Sequence, residues 1–170
     1  MSVILFPKNS RWFLESISQR LFLVSKSSVK HSAEIISETC KILSENKTGA
    51  IIILKQHDHI PETNSGITLD ANLSTSLLLA LFNDYSPLHD GAVIITGDKV
   101  HQARVILPLA NSEELAYYGT RHRAGLGLSE VCDAKIIVIS EETGSISLFH
   151  KKQFFKDLGP ENLHQILQLN

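Results

Sequence analysis

Two short stretches hold most of the side chains with chemistry to offer. Leu88-His89-Asp90-Gly91-Ala92 sets a carboxylate beside a glycine, where main chain can come close to a ligand. Gly119-Thr120-Arg121-His122-Arg123 brings together a hydroxyl, two fixed positive charges and an imidazole. A guanidinium is charged at any working pH and donates hydrogen bonds in a fork that matches phosphate oxygens. A carboxylate next to a glycine turn can hold a divalent cation or accept a proton. A third stretch, Ser140-Glu141-Glu142-Thr143-Gly144, adds a hydroxyl and further acids. Alone, each stretch has a plain explanation: a turn, a solvated charge pair, a hairpin connection. Together Asp90, Thr120, Arg121, Arg123, Ser140 and Glu142 fall at expected strand ends or at a helix start, where α/β sheets collect ligands. That chemistry points to a nucleotide-phosphate site with a metal shared by two acids at neighbouring strand ends.

The rest of the chain must position these groups. At 170 residues and 43% hydrophobic, it has enough apolar content for one soluble domain. The net charge of −2 and pI near 6.4 argue against binding nucleic acid through bulk electrostatics. Cys40 and Cys132 sit in apolar stripes and read as small buried hydrophobes in a reducing cytoplasm. No stretch approaches the roughly 20 apolar residues of a membrane-spanning helix, and no signal peptide is legible.

Asn9 or Ser10 precedes an expected helix from about Arg11 to Val24, and Ser25 to Ser28 reads as a linker. A second helix carries Ala33, Ile36, Cys40 and Leu43, with Asn46 to Gly49 suiting its C-terminus. Ala50–Leu54, Ala92–Thr96 and Ala134–Ser140 are apolar, largely β-branched runs of the kind buried on both sheet faces. Ile67–Leu69 is a short strand, and Ser74, Thr75 and Ser76 offer caps for a helix over Leu77 to Phe82. Gly97-Asp98 turns the chain into a return strand over Lys99–Leu107. Asn111 to Tyr118 is a short helix or turn, Ser145–Phe149 closes a second hairpin, and Pro160 opens a last helix. The expected fold class is α/β, with a mixed, mostly buried central sheet flanked by helices.

Five motifs then occur in order: Pro87-Leu88-His89-Asp90-Gly91-Ala92-Val93-Ile94-Ile95, Leu107-Pro108-Leu109, Gly119-Thr120-Arg121-His122-Arg123-Ala124, Leu128-Ser129-Glu130 and Ser140-Glu141-Glu142-Thr143-Gly144. In this the chain resembles the diadenylate cyclase domain family, from about Val29 to the C-terminal helix. Val3 to Lys26 is similar to the juxtamembrane helix of the family's membrane-anchored bacterial branch. The resemblance implies a division into an N-terminal juxtamembrane-like helix and linker, 1–28, and a catalytic domain, 29–170. It also implies a cytoplasmic domain whose full-length form is held at the cell membrane through a preceding segment.

The resemblance further implies that two ATP are condensed into cyclic di-AMP and two pyrophosphates with magnesium, manganese or cobalt. The active centre forms between two face-to-face subunits of a homodimer. Carried over by position, Asp90 binds the metal and activates the 3′-hydroxyl, Glu142 is a metal ligand, and His89 is a further metal neighbour. Gly91 and Ala92 bring main chain to the nucleotide, Leu107 touches adenine, and Gly119, Thr120, Arg121 and Arg123 hold the triphosphate. His122 orients phosphates or supports the arginines, and Ser140 donates to a phosphate. Arg104, Val105 and Ile106 stand before Leu107 where relatives often carry a small or aromatic pair. The alternative is a catalytically inactive nucleotide-binding sensor or scaffold of the same fold.

Overall fold

The computed structural model describes residues 29–58, 60–61, 65–109 and 118–168. The expected helix from Arg11 to Val24 and the linker after it lie outside these residues, as does 111–117. In chain order the elements are α1 (29–45), β1 (Ala50–Leu54), β2 (Ile67–Asn72), α2 (Thr75–Leu81), β3 (Ala92–Thr96), β4 (Lys99–Val105), α3 (Thr120–Ser129), β5 (Lys135–Ile139), β6 (Ile146–His150), β7 (Gln153–Phe155) and α4 (Pro160–Gln168). The strands form one sheet in the order β2-β4-β3-β1-β5-β6-β7. β1 and β3 are parallel, and every other pairing is antiparallel.

Alternation along the central strands divides the core between the two faces of the sheet. Ala50 and Ile52 of β1, Val93 and Ile95 of β3, and Ile137 and Ile139 of β5 pack with Ile36 and Leu43 of α1, Leu78 of α2 and Leu163 of α4. Ile51, Ile53, Ile94, Ile136 and Val138 face the other way, against Ala124 and Leu128 of α3. β1, β3 and β5 are therefore covered on both sides, which is why they read as unbroken apolar runs. The result is three layers, with α1, α2 and α4 on one face and α3 on the other. Among the described residues no helix is long and apolar enough to cross a membrane.

Local capping explains several boundaries. Ser74 caps α2 by accepting the Leu77 N–H at 3.2 Å. Gly97 takes φ +61 in the two-residue turn that pairs Thr96 with Lys99. The end of α1 differs from expectation. The left-handed residue is Lys47 (φ 52), whose N–H reaches Ser44 O while Thr48 N–H reaches Leu43 O at 2.8 Å. That pair of bonds closes the helix by the Schellman pattern with lysine in the glycine's usual place. Gly49 therefore has no capping duty. β7 was not foreseen from the sequence; it pairs Phe154 with Phe149 and extends the β5–β6 hairpin.

Candidate functional site

The strand register brings the chemistry-bearing stretches to one end of the sheet. Ile51 of β1 pairs with Ala92 of β3, and Ala50 pairs with Ile139 of β5. Ala92 also pairs with Val105 of β4. Gly49, Asp90-Gly91, Ile106-Leu107 and Ser140 thus emerge side by side. This is the amino end of the parallel β1–β3 pair, whereas doubly wound sheets usually take ligands at the carboxyl end. The antiparallel β4 and β5 supply carboxyl ends here. Asp90 and Glu142 do not leave neighbouring strands, as the sequence had suggested. β1 lies between β3 and β5, so their main chains stand about 10 Å apart, two inter-strand spacings.

The N-terminus of α3 faces this end. Its cap is Gly119, which offers no side-chain acceptor to the first-turn N–H groups. An open helix start carries partial positive charge and main-chain donors, the usual components of an anion site. His122, Gly125 and Ser129 turn inward along α3, together with Ala124 and Leu128. Gly125 has no room for a side chain, since a Cβ would lie 2.8 Å from the Phe149 ring. With His122 buried, Arg121 and Arg123 flank it on either side of the helix, each rotated by about 100°. Both are half-buried, and Thr120 is exposed.

Arg121 Nη1 donates to Glu141 Oε2 at 2.5 Å. The same guanidinium lies over Gly49, where an added Cβ would come within 2.7 Å of Cζ. His122 Nε2 lies 3.3 Å from the Ser147 hydroxyl. Its ring packs near Tyr118, Phe149 and Phe154, at centroid distances of 5.0, 6.3 and 6.3 Å. Burial lowers the His122 pKa, opposed by the negative charge of Asp157.

The connection after β5 is held by Ser140. Its Oγ accepts the N–H groups of Glu142 and Thr143, each at 3.3 Å, and its carbonyl accepts the Gly144 N–H at 2.9 Å. With both hydroxyl lone pairs engaged, the Ser140 proton is left for donation elsewhere. Gly119, Thr120, Arg121, Ser140, Glu142 and Asp157 are among the residues lining a cleft of about 330 Å³.

Asp90 is exposed at the same end of the sheet, before β3, and is not among the residues that line this cleft. It ends a loop of stacked turns in which Tyr85 N–H reaches Asn83 Oδ1 at 2.9 Å and Leu88 N–H reaches Ser86 Oγ at 3.2 Å. His89 Nδ1 donates to the Ser86 carbonyl at 2.6 Å. Gly91 takes φ +139, and a Cβ there would meet the Arg104 main chain at 2.8 Å. Its lack of a side chain is thus required by the sheet itself. The side chains of Ala92 and Leu107 belong to the core on the α3 face.

Among the described residues no three His, Cys, Asp or Glu side chains converge as a metal cage. A small hard cation carried by a triphosphate keeps water and phosphate ligands and needs only one or two protein carboxylates. The exposed Asp90 and Glu142 can each supply one such carboxylate, at separate places on this end of the sheet. Sequence reasoning missed Gly49 and Glu141. Glu141 stood in the acidic pair that drew attention to Glu142, while nothing local to Gly49 signals Arg121.

A family model described as DisA bacterial checkpoint controller nucleotide-binding (DAC) matches residues 37–154. A diadenylate cyclase of Listeria monocytogenes is 38% identical over 97% of this chain and 63% of its own length. The cyclic di-AMP synthase CdaA of Bacillus subtilis is 32% identical over 98% of this chain and 63% of its own. The present chain thus spans somewhat under two thirds of these relatives. The crystal structure of a DacA double mutant from Staphylococcus aureus superposes with a TM-score of 0.77 at 35% identity, covering 81% of this chain and 93% of that one. A hypothetical membrane spanning protein from Bacillus cereus gives 0.71 at 39% identity, covering 75% and 63%. With the family-model match spanning more than half of the sequence and a solved neighbour superposing over 81% of the chain, the chain belongs to the DAC nucleotide-binding family.

Proposed function

We propose that residues 29–170 form the catalytic domain of a diadenylate cyclase that condenses two ATP into cyclic di-AMP and two pyrophosphates. One observation carries the reading. Arg121, the open start of α3 and the Ser140 hydroxyl converge on a cleft at the sheet end that also bears Asp90. The names of the relatives, diadenylate cyclase and cyclic di-AMP synthase, supply the substrate and product.

In this reading Thr120, Arg121, Arg123 and the α3 N–H groups grip the triphosphate. Arginine forks and helix-start donors stabilise charge that builds as pyrophosphate departs, with charge-assisted bonds of about 1.5–3 kcal/mol each. Ser140 donates its remaining proton to a phosphate oxygen. Asp90 accepts the proton of a ribose 3′-hydroxyl, whose oxygen bonds to an α-phosphorus as the bond to pyrophosphate breaks. Asp90, with His89 next to it in sequence, and Glu142 would each offer a ligand to a magnesium, manganese or cobalt ion, which would screen the phosphate charge. His122 fixes the turn between the two arginines. Main chain at Gly91, Ala92 and Leu107 borders the nucleoside.

The strand of Asp90 and the strand of Ser140 are two places apart in one subunit. This spacing supports a centre completed by a second copy, in which each 3′-hydroxyl attacks the α-phosphorus held opposite. Likeness to the membrane-spanning Bacillus cereus protein supports a cytoplasmic domain held at the membrane by a further segment. Incubation with ATP and manganese followed by chromatography tests the activity. Cyclic di-AMP with pyrophosphate is expected. Bound but unconsumed ATP would establish the inert sensor instead.

A further inference from the structure

Gly49 is a glycine without a backbone reason to be one. The left-handed cap of α1 is Lys47, and Gly49 does not adopt positive φ. What its missing side chain makes room for is Arg121: a Cβ would stand 2.7 Å from Cζ, 2.8 Å from Nη1 and 3.0 Å from Nε. Those three contacts place the plane of the guanidinium flat on the Gly49 main chain. Its edge is gripped from the side by Glu141 Oε2 at 2.5 Å from Nη1. Both supports are themselves anchored. Gly49 opens directly into β1, and Glu141 sits in the turn held by the Ser140 hydroxyl.

We infer that Gly49 and Glu141 form a seat fixing the plane and reach of the Arg121 guanidinium, and that both are positioning residues for phosphate chemistry. The inference rests on the nucleotide reading above and goes beyond it in assigning roles to two residues outside the phosphate-binding set. Glu141 takes Nη1 and leaves the Nη2 and Nε donors directed along a fixed plane. An arginine held this way loses little side-chain freedom when a phosphate arrives, so more of its interaction is expressed as charge builds.

The seat predicts a particular pattern of damage. In Gly49→Ala the methyl must push the guanidinium about 0.7 Å, the shortfall between 2.7 Å and ordinary contact at 3.4 Å. The displaced group is the far end of a flexible side chain, so the fold survives. The kcat for cyclic dinucleotide formation should fall about 10- to 100-fold while the KM for ATP moves less than about 3-fold. Against an Arg121→Lys background, whose slim ammonium does not occupy the seat, the Gly49→Ala penalty should shrink to less than about 2-fold. Glu141→Gln, on an exposed side chain, should lower kcat without shifting the melting temperature.

An activity-independent measurement separates this inference from the proposed function. The Arg121 Nη1 signal in ¹⁵N NMR spectra of the unliganded protein should be protected from exchange by its bond to Glu141, and should broaden or vanish in both Gly49→Ala and Glu141→Gln. If wild-type protein makes no cyclic dinucleotide yet the signal behaves this way, the reaction is wrong and the seat stands. A signal unmoved by either substitution, or Gly49→Ala penalties equal in both Arg121 backgrounds, would overturn the seat.

Discussion

The hydroxyl of Ser44, at the end of α1, donates to the main-chain carbonyl of Gly144 at 2.6 Å. Gly144 adopts φ +79, and a Cβ there would lie 2.4 Å from the Ser44 carbonyl oxygen. This single meeting point joins the helix on one face of the sheet to the turn that carries Ser140, Glu141 and Glu142. Gly144→Ala combines left-handed backbone strain with a main-chain clash and should cost about 2–4 kcal/mol. Thermal unfolding should show a drop of roughly 5–15 °C. Ser44→Ala removes only the hydrogen bond and should cost about 0.5–1.5 kcal/mol in denaturant titrations. Equal stability of Gly144→Ala and wild type would show that the turn does not lean on α1.

Asp90 and Arg121 should separate rate from binding. Asp90→Asn keeps the shape but removes the proton acceptor, so product formation should fall by at least about 100-fold while ATP affinity by calorimetry is largely kept. Arg121→Ala deletes part of the triphosphate grip and should weaken both affinity and rate. Near-normal turnover in Asp90→Asn would remove Asp90 from the reaction.

Protonation of His122 should set part of the acid sensitivity of the fold. Burial lowers its pKa from 6.5, so the folded chain keeps the imidazole neutral where the unfolded chain would already protonate. Its contribution is therefore fully present above pH 6.5 and is lost as pH falls from there toward the lower folded value. Unfolding free energies measured between about pH 5 and 7 should decline toward acid in wild type and decline less steeply in His122→Gln. Identical slopes would place no titrating burden on this ring.

If two subunits complete one centre, initial rate should rise more steeply than linearly with protein concentration below the dimer dissociation constant. Strict proportionality of rate to concentration, down to the lowest amounts assayed, would contradict the shared centre.

Much of this was legible in the sequence where burial is symmetric. β1, β3 and β5 lie between two apolar layers, so their continuous Ile and Val runs announced them, with bounds close to those observed. Ser74 and Pro160 marked helix starts through local chemistry. α3 was harder, because Thr120 to Arg123 is polar and Gly125 and Gly127 dilute its helical pattern. Its packing on β5 and β6 compensates for weak propensity. β7 has three residues and follows Lys151 and Lys152, too short to show alternation. Candidate phosphate-binding residues could be proposed from type and motif, yet the seat under Arg121 could not. Gly49 resembles a helix terminator until strand order places it beneath a guanidinium more than seventy residues away.

The most direct measurement is identification of products after the wild-type chain is incubated with ATP and, in separate reactions, magnesium, manganese or cobalt. Cyclic di-AMP and pyrophosphate should appear in a one-to-two ratio with at least one of these metals and be absent with Asp90→Asn. ATP left intact under every condition, or conversion to a cyclic mononucleotide, would contradict the account.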